Sequence, residues 1–391
     1  MTRLGRAAAR LGLAAAGVVV ALAAAEVALR LSWCDSSAAS YEYQSKPFLS
    51  PNPYWGTWHF PNNEVEHRKP CFTARYTTNE LGMKGDPVRT GARRIALLGD
   101  SFIEGFGHDN EATAAHSLER LLGSEYQVLN FGVSGFFSTI DELVLYDDFA
   151  KFFDPEVVLL FFLNYNDLED LLNPGKERLI DRNLNLVYPR VRDVREVAAS
   201  VRQQRITESP TPPAGGSCLI RFLASIRRTF LQRLQIALHL RWDFRHELAR
   251  PYLPIEDDEM RHAWAIVETS LRRLLDITRG QGATLIVVDV ADPYQLDPNW
   301  IRLASLRERT ALSPTHPNER LGGICRKLGI RYYDMYPETQ AYIAEHHLAY
   351  PFLSFACDRH YDREGQQLMA KLVFGYLRRE ELVDRPQGGS P

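Results

Sequence analysis

A serine hydroxyl becomes a nucleophile when an imidazole takes its proton and a carboxylate orients that imidazole. Residue types suited to each role stand at suggestive places in this chain. Ser101 follows Gly99 and Asp100 at the end of an apolar run, where a helix is expected to start. The unpaired N–H groups and dipole of a helix start favour a developing negative charge, although Asp100 and Ser101 suit a plain turn and cap equally well. His360 stands just before a helical stretch, with Asp358 two residues upstream and Asp362 two residues downstream. Asp362 suits the cap of that helix, and a histidine at a helix start is by itself an ordinary surface feature. Donors for an oxyanion are offered by Gly132 and Gly135 in NFGVSG and by Asn164 and Asn166 in FFLNYNDLED, beside Asp167. Backbone N–H groups at glycine and Asn amides serve that purpose, and the same residues also build ordinary turns.

The elements that must position these groups follow a regular alternation. RRIALLG (93–99) reads as a buried parallel strand, followed by a helix over about 112–122 and a second strand in YQVLNFGV. A helix over about 139–153, the break Asp154-Pro155 and the strand EVVLLFFL come next; ATLIVVDV (283–290) and GIRYYDM (329–335) each follow a further helix. Five strands separated by helices predict an α/β fold: a three-layer, doubly wound, five-stranded parallel sheet. In such sheets ligands bind beyond the carboxyl ends of the strands, which is where Ser101, the two glycines and the two asparagines fall.

Together, GDS, NFGVSG, NYND and DRHYDREG resemble, in order, the four blocks of the SGNH or GDSL hydrolase superfamily, over roughly residues 91–173 and 256–378. The resemblance implies Ser101 as nucleophile and His360 as base. It implies an oxyanion hole made of the Ser101 amide, the Gly135 amide and the Asn166 side chain. Two departures stand out: Asn164 replaces the glycine of the family's GxND block, and the usual DxxH spacing falls on Cys357. Asp358 is then the available acid, with Asp362 as the fallback. The implied reaction is acyl transfer through a serine ester, needing no metal or organic cofactor.

The N-terminus sets the compartment. Arg3, Arg6 and Arg10 precede the apolar stretch Leu11 to Ala25, and VALRL follows Glu26. A basic flank before an apolar segment of this length predicts an inner-membrane signal anchor with a cytoplasmic N-terminus and a periplasmic catalytic domain. Ala23 and Ala25 also suit a signal cleavage site. The chain then divides into an anchor (1–34), an aromatic-rich extension (35–90) expected to be irregular or short-stranded, and a hydrolase core in two stretches (91–173 and 251–378). A helical insertion (174–250) separates those stretches, and a flexible tail (379–391) ends the chain.

The 391 residues carry 46 basic and 49 acidic side chains, a net of -3, which argues against a uniformly basic nucleic-acid binder. Five cysteines without a CxxC pair make neither a disulfide scaffold nor a zinc ribbon, and five leave at least one unpaired. The balance is uneven, since 174–250 holds 15 basic and 7 acidic residues. Its stretch SCLIRFLASIRRTFLQRLQIALHLRW has apolar residues at helical spacing with arginines between. A cap solvating its arginines, a lid for an anionic glycan and a helix resting on anionic lipid all fit this pattern. The activity that the resemblance implies is that of a carbohydrate acetylesterase-like hydrolase acting on an acylated carbohydrate or other ester. The alternatives are polysaccharide O-acetyl transfer, a lipase or thioesterase, and a non-catalytic glycan-binding or envelope assembly protein.

Overall fold

The computed structural model describes residues 3–34, 42–172, 175–188, 194–204, 217–237 and 245–384. The turn-rich segment 209–216 and the end of the tail, 385–391, lie outside them. In chain order the strands are β1 (Tyr43–Gln44), β2 (Leu49–Asn52), β3 (Gly56–His59), β4 (Glu64–Lys69), β5 (Phe72–Thr77), β6 (Arg93–Gly99), β7 (Tyr126–Gly132), β8 (Val157–Phe162), β9 (Thr284–Asp289) and β10 (Arg331–Asp334). The helices are α1 (Arg3–Leu29), α2 (Ser101–Glu104), α3 (Ala114–Leu122), α4 (Thr139–Asp148), α5 (Asn164–Leu171), α6 (Val194–Gln203), α7 (Cys218–Ala237), α8 (His246–Ala249), α9 (Asp258–Gly280), α10 (Pro298–Glu308), α11 (His316–Leu328), α12 (Tyr336–Glu345) and α13 (Arg363–Arg379).

The central sheet has five parallel strands in the order β10-β9-β8-β6-β7. Its strands are apolar on both faces, so both faces must be covered. In β6, Ala96 and Leu98 enter one core with α4 and α9, while Ile95 and Leu97 enter the other with α3 and α13. That is the predicted three-layer α/β architecture. From β6 the chain pairs first with β7 on one side and then places β8 on the other. The strand order therefore reverses between β6 and β8, and a crevice opens at their carboxyl ends.

The extension forms two small antiparallel sheets, β1-β4-β5 and β2-β3. They pack on the core: Trp55 and Trp58 are fully buried and meet Phe149 at centroid distances of 5.5 and 5.9 Å. After α13 the chain folds back, burying Val383 in the second core and pairing Asp384 with Arg93.

Helix boundaries differ from expectation where caps intervene. Thr113 takes the cap position, its hydroxyl accepting from the His116 N–H, so α3 begins at Ala114. The helix expected to reach Phe153 ends at Asp148; a 3-10 turn over Ala150–Phe153 follows, and Asp154 adopts φ +47° before Pro155. Between Gly12 and Ser32, 21 residues of mean hydropathy 2.1 form a helix long and apolar enough to cross a membrane.

Candidate active site

Strand β6 ends at Gly99, and Asp100 caps the short helix α2 by accepting the Phe102 N–H at 2.8 Å. Ser101 is therefore the first residue of α2, where no preceding turn supplies a carbonyl to its amide. His360 arrives from the other end of the chain, on a tight loop before α13. That loop is closed by the Ser354–Tyr361 bridge, by Phe355 N–H to the His360 carbonyl at 3.0 Å, and by His108 Nε2 on the Tyr361 carbonyl at 2.8 Å. Ser101 Oγ and His360 Nε2 lie 2.7 Å apart. On its other side, His360 Nδ1 bonds Asp358 Oδ1, which also accepts the His360 N–H at 3.0 Å.

Protonation follows from the partners. Burial works to raise the Asp358 pKa, but the bond from His360, its charge and the nearby Lys69 outweigh it and hold the carboxyl far below the usual range. An ionised carboxylate only accepts, so His360 Nδ1 donates and Nε2 is left to take the serine proton. The Phe106 ring stacks on the imidazole at 4.3 Å, leaving it little freedom to swing away.

The two candidate aspartates make different contacts. Asp358 supplies the carboxylate, while Asp362 caps α13 by accepting the Gly365 N–H at 3.0 Å. The departure at Cys357 also has a physical account: it forms a disulfide with Cys71, with the two Cα atoms 5.5 Å apart. Lys69, two residues before Cys71, donates to Asp358 Oδ2 at 2.8 Å and pairs with Glu42 at 3.1 Å. The extension thus grips the acid loop by one covalent and one ionic link. Cys325 is a free, buried thiol.

The two candidate glycines separate clearly. A Cβ at Gly132 would lie 2.2 Å from the Glu104 amide nitrogen, so this glycine lets β7 and α2 approach; its own N–H is held by Asn130 Oδ1 at 2.9 Å. Gly135 has φ +87° and stands at the rim of two open clefts of about 460 and 450 Å³. Its loop is fixed from the extension side: Glu104 accepts the Ser134 N–H at 2.6 Å and contacts buried His59 at 3.1 Å. Beyond it, Lys176 donates to the Phe136 carbonyl at 2.7 Å, and the Phe136 ring is 72% exposed.

Asn166 lies in the first turn of α5. Its Nδ2 donates to Asp100 Oδ2 at 2.7 Å, which orients the amide and leaves its second N–H for a ligand. Asn164 turns the other way: it is fully buried and donates to Asp289 Oδ1 at 2.8 Å, so it ties α5 to β9. Ser101, His360 and Asp358 are thus joined by hydrogen bonds, and Asn166 is tied through Asp100 to the residue before Ser101. Gly135 shares a cleft with Lys69 and Phe106, which contact Asp358 and His360. Sequence reasoning missed Lys69 and Asp100 as positioning groups. Cys357, immediately before Asp358, was the one available signal.

No protein-family model and no curated protein matches this chain. Among solved structures it is similar to a lipase/acylhydrolase from Enterococcus faecalis, at 12% identity and TM-score 0.38, over 76% of this chain and 100% of that one. It is similar to an acetylxylan esterase from Geobacillus stearothermophilus, at 13% identity and TM-score 0.36, over 74% and 95%. A lipolytic protein of the G-D-S-L family from Desulfitobacterium hafniense shares 9% identity at TM-score 0.35, over 72% and 98%. At such scores the likeness carries no functional weight.

Proposed function

We propose that this chain is a serine ester hydrolase of the SGNH type, held at the cell envelope by α1 and acting on an acylated carbohydrate. The observation that carries the reading is the relay Ser101 Oγ to His360 Nε2 at 2.7 Å, continued from His360 Nδ1 to Asp358. Ser101 attacks the ester carbonyl carbon while its proton passes to His360 Nε2. The imidazolium so formed is stabilised by Asp358. The carbonyl oxygen, now anionic, settles on the amides of Ser101 and Gly135 and on the free N–H of Asn166. Collapse expels the alcohol, which takes the proton back from His360, and leaves an acyl-serine. Water activated by the same imidazole releases the acid; a sugar hydroxyl in its place completes transfer.

The carbohydrate preference is supported by the open clefts at Gly135 and by exposed Phe136, since an aromatic face offers a sugar ring a stacking platform. The membrane reading is supported by the apolar helix Gly12–Ser32, none of which is buried in the rest of the chain. Basic residues before that span favour a cytoplasmic N-terminus, with the catalytic domain on the other side. The test is turnover of p-nitrophenyl acetate and of acetylated oligosaccharides by the whole chain. Activity lost in Ser101→Ala supports the enzyme. Equal rates in both proteins would leave a non-catalytic binding or assembly protein as the better reading.

A further inference from the structure

Helix α7 begins on the apolar helix α1. Glu26 of α1 accepts a hydrogen bond from Ser217 Oγ at 2.7 Å and from the Cys218 and Leu219 N–H groups at 2.9 Å each. Arg30 Nε donates to the same carboxylate at 2.9 Å. The contact is reciprocal. The opening N–H groups of a helix have no internal partner, and an acid at that end also meets the positive end of the dipole. In return, a carboxylate inside an otherwise apolar stretch gains three donors and a guanidinium. Residues 12–24 of α1 are exposed, whereas Ala25, Glu26 and Leu29 are half-covered on the side where α7 starts.

The depth of this junction decides what surrounds α7. Glu26 stands six residues before Ser32, the end of the apolar span, which is about 9 Å along a helix axis. If the span crosses a bilayer, the first turn of α7 is held below the outer edge of the hydrocarbon. Its exposed side chains then suit that setting. Ile220, Leu223, Ile226 and Phe230 are 67, 56, 50 and 64% exposed. At 3.6 residues per turn they fall on a single arc of about 120°. Exposed Arg227 falls inside the arc, between Leu223 and Ile220, where a long cationic side chain reaches phosphate while its stem stays in apolar surroundings.

We propose that α7 is a second membrane-seated element: it lies in the bilayer interface beside the anchor, with the Ile220, Leu223, Ile226 and Phe230 arc in the acyl chains and its arginines at anionic headgroups. The proposal rests on the reading of Gly12–Ser32 as a bilayer span and is independent of the catalytic one. Helix α7 carries several arginines and no acidic residue, so it is unsuited to crossing the hydrocarbon and suited to an anionic surface.

The test uses the full chain in nanodiscs of phosphatidylcholine and phosphatidylglycerol, with one nitroxide at a time on Leu223→Cys, Ile226→Cys, Val20→Cys or Leu306→Cys. Val20 reports on the anchor, and Leu306 is a solvent-facing residue of α10, 68% exposed. The expected result is a several-fold preference for oxygen over a water-soluble nickel complex at 223 and 226, close to that at 20 and opposite to that at 306. Nickel access at 223 and 226 with oxygen preference at 20 would overturn the seating of α7 and leave the anchor. Nickel access at 20 would overturn the span and the proposal together. Shielding of 223 and 226 from both reagents would mean that a protein surface covers the arc, which also overturns it. In phosphatidylcholine alone the oxygen preference at 226 is expected to fall; an unchanged value would remove the arginine–headgroup contact from the proposal.

Discussion

Lys69 Nζ stands 2.8 Å from Asp358 Oδ2, across 289 residues of sequence. The other oxygen of that carboxylate bonds His360, so a single carboxylate joins the lysine to the imidazole, and the lysine adds to the effect of His360 in keeping it ionised. Lys69 is itself confined, lying 4.8 Å from the centroid of the Phe106 ring that stacks on His360.

Lys69→Met is expected to lower kcat/KM by about 10-fold, the scale of one hydrogen bond to a charged group. The direction of the pH effect follows from Coulomb's law. Removing a cation leaves Asp358 more able to stabilise the imidazolium, so the acidic limb of kcat/KM moves to higher pH. Lys69→Arg keeps the charge and should hold the limb in place. Rate measurements across pH for the three proteins check this.

Asp358→Asn and Asp362→Ala should part company. The first removes the acceptor that fixes the imidazole and is expected to cut kcat by roughly 10³-fold or more. The second loses a helix cap, worth about 1 kcal/mol, with kcat nearly unchanged. Steady-state kinetics and thermal unfolding on both variants separate these roles.

Asn166→Ala is expected to lower kcat by about 10²-fold with little change in KM, because its free N–H meets the substrate oxygen only as charge develops. Asp100→Ala should reproduce some of that loss by releasing the Asn166 amide, and it also removes the α2 cap. A KM that rises in step with the fall in kcat would place Asn166 in ground-state binding instead.

His108 predicts an acid limit on stability. Burial, set against its bond to the Tyr361 carbonyl, lowers its pKa to about 4 from an ordinary 6.5. The unfolded chain therefore takes up a proton before the folded one does. Stability from this group is complete above pH 6.5 and falls away toward pH 4, by about 1.4 kcal/mol per unit. Denaturant midpoints across that range should show the loss, and His108→Gln should flatten it.

Replacing Cys71 and Cys357 together by serine should cost stability, on the order of 2 to 5 kcal/mol for the loss of a native disulfide. Activity should fall as well, since the bond anchors the residue next to Asp358. Thermal unfolding and kcat of the double variant measure the two effects separately.

Local signals were legible where local physics decides. RRIALLG declared β6 to the residue because a strand buried on both faces must be continuously apolar. Ser101 and His360 were singled out by the resemblance of four blocks in order, since a serine or a histidine at a helix start is by itself an ordinary feature. The irregular acid spacing at 358 was readable only as a choice between two aspartates. Distance separated them: Asp358 reaches the imidazole and Asp362 reaches the Gly365 N–H. Nothing in the segment RKPCF marks Lys69 as a partner of the acid, because the contact depends on how β4 packs against a loop near the other end of the chain. Asn164 was equally illegible: its amide turns to Asp289 on β9, a pairing fixed by strand order.

The grip of the extension on the acid loop also gives the protein an order of assembly. Lys69 and Cys71 are among the first residues of the domain to leave the ribosome, and Cys357, Asp358 and His360 are among the last. Ser101 is made long before His360, its hydrogen-bond partner. A nascent or truncated chain therefore carries an idle hydroxyl, and the relay closes only when the two ends of the domain have met.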